Sequence, residues 1–483
     1  MPAASVFLRR FTVSGLLSVS VVAASAFMVG GLMGAASEAQ ADTAKRNFSS
    51  WNNVQQTAPT ITYVAQGMNL PPMLNSMSEQ LLQDAISRYE IIASRGGWPM
   101  IPGGQRLSKG GQGELVGLLR QRLAIEGYSA QGGAEPYRFD AGLQSAVVTF
   151  QKNHGLAATG VVDQETINAL NVPVEGRLVT MRANLPRMRE YAKGLTDRYI
   201  TINIPATQLE TVENGMVYSV HNVVAGMTDR PSPVVLSRVS DITFNPYWIA
   251  PASIVKKDII PKAQKDPGFL IEQRIRIHDG LGGPEIDPMS IDWNTLNPER
   301  YVFRQDPGDD NAMATVKIHF PNKYAVYMHD TPTRSLFSSN ERYFSSGCVR
   351  IDQVHIVTEW LLRPESGWGR SRIEQVIASG ENTKVDFTQT VAVRMVYMTA
   401  WATPEGYVNF RPDIYQLDGI GFVSGQPEPL GKVAEAPPQQ QSAAYGQPAP
   451  IAVSAPGQAP VGGARDAWRR ESSSNRQINQ YSQ

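Results

Sequence analysis

Near Tyr199 the apolar residues of this chain change their spacing, and that change fixes the kind of architecture it can adopt. Before it, Leu115, Leu118, Leu119 and Leu123 recur at helical intervals, and Leu143, Ala146, Val147 and Phe150 repeat the stripe behind Asp140, a natural N-cap. Asp163 opens a third, shorter helix carrying Ile167 and Leu170. After Tyr199 the period is two: residues 199–204, 217–224, 315–320 and 324–328 read as strands, with Pro321-Asn322-Lys323 as the connection of a hairpin. The expected fold class is α+β and multidomain. Helical stretches at 77–94 and 177–193 flank the three-helix segment and are expected to pack together as a scaffold, the first broken sharply by Gly96-Gly97-Trp98-Pro99.

The ends of the chain are of another kind. Arg9-Arg10 precede an uncharged stretch at 11–37 rich in Ala, Val, Gly, Leu and Ser, and then Ala39-Gln40-Ala41, the order of a signal peptide cleaved before Asp42. A retained inner-membrane anchor is the rival reading if the signal is uncleaved. On either reading the remainder lies outside the cytoplasm, in the periplasm. From Ser424 the sequence turns to Pro, Gln, Ala, Gly and Ser and is expected to be disordered, because it cannot bury enough apolar surface to offset ordering entropy. Residues 42–423 are enough for two or three folded units at about 150 residues each.

Composition narrows the chemistry. Lys plus Arg number 44 against 44 Asp plus Glu, so no whole-molecule field favours a polyanion, and nucleic acid is excluded as a bulk-charge partner. With one cysteine, neither an intramolecular disulfide nor a Cys-rich zinc site can form. An exported chain normally uses cysteines in pairs, so Cys348 needs a reason. It stands in Ser345-Ser346-Gly347-Cys348-Val349-Arg350, nineteen residues after His329 in His329-Asp330-Thr331-Pro332. A cysteine used for acyl transfer needs a neighbouring base to raise its thiolate fraction, and donors to hold the oxyanion. His329 is the candidate base. Gly347 lets the backbone approach a carbonyl closely, and the amides of Gly347 and Cys348 are the candidate donors. The other histidines read blandly: His154 within the helical module, His221 and His319 within strands, His278 and His355 without a motif.

The full strings are more specific than the pair. Tyr327-Met328-His329-Asp330-Thr331-Pro332, Ser345-Ser346-Gly347-Cys348-Val349-Arg350-Ile351 and Arg304-Gln305-Asp306-Pro307-Gly308 with Asn311 resemble the L,D-transpeptidases of the bacterial wall. The likeness is to the large branch with a peptidoglycan-binding module and a substrate-capping insertion, and Asn203-Ile204-Pro205-Ala206, Phe244-Asn245-Pro246-Tyr247-Trp248 and Asp413-Ile414-Tyr415 extend it. In the helical segment, Phe150-Gln151, His154-Gly155-Leu156 and Thr159-Gly160-Val161-Val162-Asp163 resemble that binding module.

The resemblance implies a mainly β catalytic domain over 199–423 with a helical lid insertion at about 249–303 and a small three-helix peptidoglycan-binding domain at 107–172; the flanking patterns leave an N-terminal linker and scaffold helix at 42–106 and a second scaffold helix at 173–198. It implies Cys348 as nucleophile, His329 as base, Gly347 at the oxyanion, and substrate contacts from Arg350, Ser346, Asp330, Trp248 and Arg304. The partners would be peptidoglycan stem peptides and glycan, with no metal or organic cofactor; oligomeric state is left open. The reaction would be 3→3 cross-linking through a cysteine thioester, with an L,D-carboxypeptidase, a protein-to-wall ligase and a non-catalytic wall-binding protein as the alternatives. Two positions depart from the common pattern: Ser346 stands where many relatives have a second histidine, and Ala314 where a glycine is more common. Ser253-Ile254-Val255-Lys256 and Ser338-Ser339-Asn340 fit two patterns of the D,D-transpeptidases, but no K-T-G follows. The order His329 then Cys348 also disfavours a papain-like protease.

Overall fold

The computed structural model describes residues 63–64, 70–128 and 135–419, so the expected signal segment and C-terminal tail lie outside the described residues. Strands β1 (Tyr63–Val64), β2 (Arg198–Asn203), β3 (Gln208–Glu213), β4 (Met216–Gly226) and β5 (Val235–Phe244) enter the main sheet before an insertion. The insertion carries β6 (Trp248–Ile249), β7 (Ile275–Asp279), β8 (Glu285–Ile286) and β9 (Tyr301–Gln305). The main sheet resumes with β10 (Val316–His319), β11 (Met328–His329), β12 (Tyr343–Ser345), β13 (Val349–Ile351) and β14 (Thr383–Val396). Its hydrogen-bonded path runs β4–β13–β11–β10–β5–β14–β2–β3, and β3 pairs back onto β4, so the path closes on itself. Val239, Ile242, Val316, Ile318, Met328, Val349 and Val393 fill its core, and the helix Val354–Leu362 adds Val354, Val357 and Trp360.

The hairpin expected around Pro321-Asn322-Lys323 is looser than its alternation suggests. β10 and β11 do pair antiparallel, Lys317 opposite His329 and Ile318 opposite Met328, but the connection occupies residues 320–327. Ala325 adopts φ +53 there, and the side chain of Asn322 bonds across the turn to Phe320 O and Val326 O, replacing ladder bonds.

The scaffold helices Ser78–Ser94 and Val174–Tyr191 pack on each other and share the main core through Leu82, Ala85, Tyr89, Met181 and Met188. The helices Glu114–Ile125, Ala141–Asn153 and Gln164–Leu170 have a core of their own, with Leu119, Leu123, Leu143, Val147, Phe150, Ile167 and Leu170. Asp140 and Asp163 cap as their positions predict, accepting from Leu143 N at 2.7 Å and Thr166 N at 2.9 Å.

The insertion has a third core, built on Val255, Ile259, Leu270, Ile277, Trp293 and Phe303. Beside the helical stretch at 252–263 it holds a four-stranded sheet in the order β6–β9–β7–β8. The sheet was hidden in the sequence because β6 and β8 are two residues long and β7 and β9 only five, too short for an alternating pattern to stand out. Among the described residues no helix is long and apolar enough to cross a membrane.

Candidate active site

Strand register, more than loop closure, brings the cysteine to the histidine. β11 and β13 are parallel neighbours, with Met328 opposite Val349 and His329 opposite Arg350. Met328 and Val349 are fully buried in the core, so by strand alternation Tyr327, His329, Cys348 and Arg350 share the opposite face. β10 lies on the other side of β11 and adds Lys317, opposite His329, to that face.

The imidazole is fixed by its neighbour's main chain. His329 Nδ1 donates to Asp330 O at 2.6 Å, which leaves Nε2 as the unprotonated nitrogen of the neutral ring. Burial, with the positive charges of Arg350 and Lys317, holds the His329 pKa down at about 3. Burial also pushes the Cys348 thiol up, against backbone and hydroxyl hydrogen bonds from Tyr327 and the charges of Lys317 and Arg350. Both shifts favour the same resting pair, a neutral thiol beside a neutral imidazole.

The turn carrying the thiol is tied down residue by residue. Ser345 Oγ donates to Cys348 O at 2.5 Å and accepts from Gly347 N at 3.2 Å. Gly347 sits at φ +110, a conformation L side chains rarely adopt, and Ser232 Oγ donates to its carbonyl at 2.8 Å. Ser232 is in turn held through its N–H by the Tyr415 hydroxyl, which donates to Gly226 O. The Gly347 amide, expected as an oxyanion donor, is therefore already engaged by Ser345, whereas the Tyr327 amide, unremarked in the sequence, faces the sulfur.

The expected substrate contacts separate into two groups. Arg350 is half-buried, with its Nε shielded from solvent and without a hydrogen-bond partner. Trp248 hydrogen-bonds the Tyr327 hydroxyl, which brings the insertion's first strand beside the thiol. Ser346 Oγ accepts from Arg230 Nη1 at 2.9 Å, and the same guanidinium grips Asp258 of the insertion at 2.7 and 3.2 Å. Asp330, by contrast, is fully buried, and its carboxylate is taken up by Thr315 N and Oγ1, Thr331 N and an ion pair with Arg334 at 2.7 Å. It is corrected to a structural residue whose main-chain carbonyl serves the histidine. Arg304 is also displaced from the expected place: it pairs opposite Ile249, on the face of the β6–β9 ribbon away from Trp248, and stacks on Tyr247 at 4.9 Å.

His221 is buried between Ser219 Oγ and Asp352 O, and His154 is sandwiched by Phe150 and Phe410. Ser253 and Lys256 are both exposed on the insertion. Among the described residues no group of three or more His, Cys, Asp or Glu is placed to hold a metal ion. Ala314 adopts φ +43, so the departure from glycine noted in the sequence falls at a left-handed residue.

A thiol at the entry to one strand and a tautomer-fixed imidazole on the next, above a closed sheet, are suited to acyl transfer through sulfur. Residues 197–364 match the family model for the L,D-transpeptidase catalytic domain, and residues 112–170 match the one described as "Putative peptidoglycan binding domain". Residues 197–364 are thus similar to an L,D-transpeptidase catalytic domain, and the helical module before them to a peptidoglycan-binding one. A protein of Haemophilus influenzae named "Putative L,D-transpeptidase" is 36% identical over 220 residues, which are 45% of this chain and 44% of that protein. The chain thus spans less than half the length of the curated relative it matches. Among solved structures, the L,D-transpeptidase from Xylanimonas cellulosilytica (residues 123-326) is 17% identical, with a TM-score of 0.19 covering 61% of this chain and 99% of that one. The L,D-transpeptidase from Stackebrandtia nassauensis is 13% identical, with a TM-score of 0.21 covering 62% and 96%.

Proposed function

We propose that this protein is a periplasmic L,D-transpeptidase that forms 3→3 cross-links in peptidoglycan, with Cys348 as nucleophile and His329 as its base. The observation that carries the reading is the shared face of β11 and β13, with His329 Nδ1 committed to Asp330 O and its other nitrogen left unprotonated. His329 Nε2 takes the thiol proton as sulfur attacks the carbonyl before the terminal D-alanine of a tetrapeptide stem. The amides of Cys348 and Tyr327 hold the oxyanion. The C–N bond breaks, D-alanine leaves as an amine with the proton returned by His329, and a thioester remains. A diaminopimelate side-chain amine then attacks the thioester, gives its proton to His329, and the thiol is regenerated. The neutral resting pair fits this sequence, because charge separates only when a carbonyl is present to accept the thiolate.

The helical module at 112–170 would hold the glycan while the catalytic domain reads the stem. The insertion is a lid over the bound stem peptide. Support comes from Trp248, which joins the insertion to Tyr327, and from the Arg230 bridge that ties Asp258 to Ser346, two residues from the nucleophile. By excluding water it would bias the thioester toward an amine acceptor, and so away from carboxypeptidase activity. Mass spectrometry of muropeptides after incubating the mature protein with tetrapeptide substrate tests the reading. A 3→3 dimer with free D-alanine is expected. Tripeptide alone would assign the carboxypeptidase reaction, and unchanged substrate with no thioester at Cys348 would overturn the enzyme reading.

A further inference from the structure

Lys317, His329 and Arg350 form a row across three neighbouring strands. β10 places Lys317 opposite His329, and β13 places Arg350 opposite His329 on the other side, so the imidazole is flanked by two cations on one face of the sheet. Neither cation forms an ion pair with a carboxylate among the described residues. The Lys317 ammonium lies 4.5 Å from the centroid of the Tyr327 ring, and the Arg350 Nε is buried without a partner. Asp241, the carboxylate whose charge reaches Lys317, is itself bonded to His319 and Ser240.

Elsewhere the chain answers buried cations with anions or main-chain carbonyls, the latter for Arg177 with Ala169 O and for Arg394 with Tyr191 O and Lys193 O. Arg122 is met by Glu126 at 2.7 Å and Arg187 by Asp418 at 2.6 Å. Two like charges held half-buried beside a neutral histidine are unfavourable without an anion, and burial lowers the pKa of both. A site that keeps such a pair unanswered is built for an anionic ligand.

We infer that Lys317 and Arg350 form the subsite for the C-terminal carboxylate of the donor peptide, the carboxylate of the amino acid that departs. The inference rests on the reaction proposed above. The departing amine takes its proton from His329 Nε2, so its nitrogen must lie within hydrogen-bond reach of that ring. In an α-amino acid the carboxylate oxygens lie only ~3 Å from the amine nitrogen, as N–Cα, Cα–C and C–O bond lengths dictate. The carboxylate must therefore fall close to His329, and the residues flanking His329 across the sheet are Lys317 and Arg350. A donor ending in a free carboxylate would meet two cations there. A donor ending in an amide, or one with a further residue after the departing position, would leave both buried charges unanswered. The subsite would thus select stems whose scissile bond is one residue from a free C-terminus.

The test compares two tetrapeptide donors that differ only at the end, one a D-alanine acid and one a D-alaninamide. Thioester formation at Cys348 and release of D-alanine or its amide give kcat and KM for each, with the mature protein and its Lys317→Met and Lys317→Arg variants. Wild type should favour the acid by about tenfold or more, the usual effect of a hydrogen bond to a charged group. Lys317→Met removes a charge that acts on the catalytic pair with either donor, so both should slow, but the acid-to-amide preference should collapse through a rise in KM confined to the acid, and Lys317→Arg should restore most of it. Equal losses on acid and amide, or an unchanged preference in Lys317→Met, would overturn the inference. Should Lys317→Met fail to fold, Lys317→Arg must keep the acid preference, and its loss in a folded Lys317→Arg protein counts against the subsite. A wild type that forms no thioester with either donor fails earlier, at the proposed reaction, and takes the subsite down with it.

Discussion

Replacing Asp258 with asparagine perturbs the contact between the insertion and the nucleophile turn while preserving shape. In the parent, Asp258 receives two bonds from Arg230, at 2.7 and 3.2 Å, and the same guanidinium reaches Ser346 Oγ at 2.9 Å. The side chains of the pair are 18% and 41% exposed, so solvent screens the interaction and its worth is nearer that of a surface pair, about 1 kcal/mol, than that of a buried one. Losing about 1 kcal/mol shifts a closed-to-open ratio roughly fivefold. If the closed insertion keeps water from the thioester, Asp258→Asn should lower the ratio of cross-linked dimer to hydrolysed tripeptide by about that factor. Acylation by a small carbapenem, which needs no lid to be held in place, should change little. Raising the salt concentration should lower the parent's ratio toward the variant's while leaving the variant almost insensitive, because the variant has no carboxylate to screen. The assay is muropeptide mass spectrometry across a salt series. A folded Asp258→Asn protein with the parent's ratio at low salt would refute both the latch and the water-exclusion argument.

Other outcomes follow from the same geometry. Cys348→Ala should abolish thioester formation and cross-linking with the melting temperature nearly unchanged, and His329→Ala should lose at least the ~10²–10⁴-fold typical of a general base; retained cross-linking in either refutes the assigned role. A carbapenem should add to the intact mass of the protein at Cys348, and an adduct mapped to Ser253 would move the chemistry elsewhere. Glu210 is buried and its pKa is raised to about 7, by burial above all. Its folded pKa lies above its unfolded one, so its contribution to stability is full below the usual carboxylate range and falls as pH rises to about 7, by roughly 3 kcal/mol in total. Glu210→Gln should flatten that fall in denaturant melts between pH 4.5 and 8, and an unaltered pH profile would refute it. Ala314, at φ +43, should gain about 1 kcal/mol of stability on replacement by glycine, read as a small rise in melting temperature; a decrease would mean that its buried methyl group outweighs the backbone strain.

What could be read in the sequence depended on how local the signal was. Asp140 and Asp163 announce their helices because a cap and the amides it satisfies are three residues apart. Cys348 and His329 stand out because each sits in a short, unusual string. Lys317 gives no such signal: one polar residue in an alternating strand looks like a solvated face, and only the register with β11 sets it beside His329. Arg230 and Ser232 are likewise invisible, since their partners in the nucleophile turn lie 116 and 115 residues away. Asp330 misled for a related reason. Its place next to the histidine suggests chemistry, but the adjacent residue on a strand points the other way, into Thr315 and Arg334.

The closed path of the main sheet has a consequence for how the molecule breathes. Because β3 bonds to both β2 and β4, the strands that carry Lys317, His329 and Arg350 belong to a ring in which no member can peel away without disturbing its neighbours on both sides. The four-stranded sheet of the insertion is an open ribbon that ends at the two-residue strands β6 and β8, and its core is separate. Amide hydrogens of the ring should therefore exchange with solvent only through global unfolding, and those of the ribbon through cheaper local openings. The chain thus divides its free energy into a rigid cooperative unit that keeps three strands in register at the chemical centre and a looser one that opens many times for each time the ring unfolds.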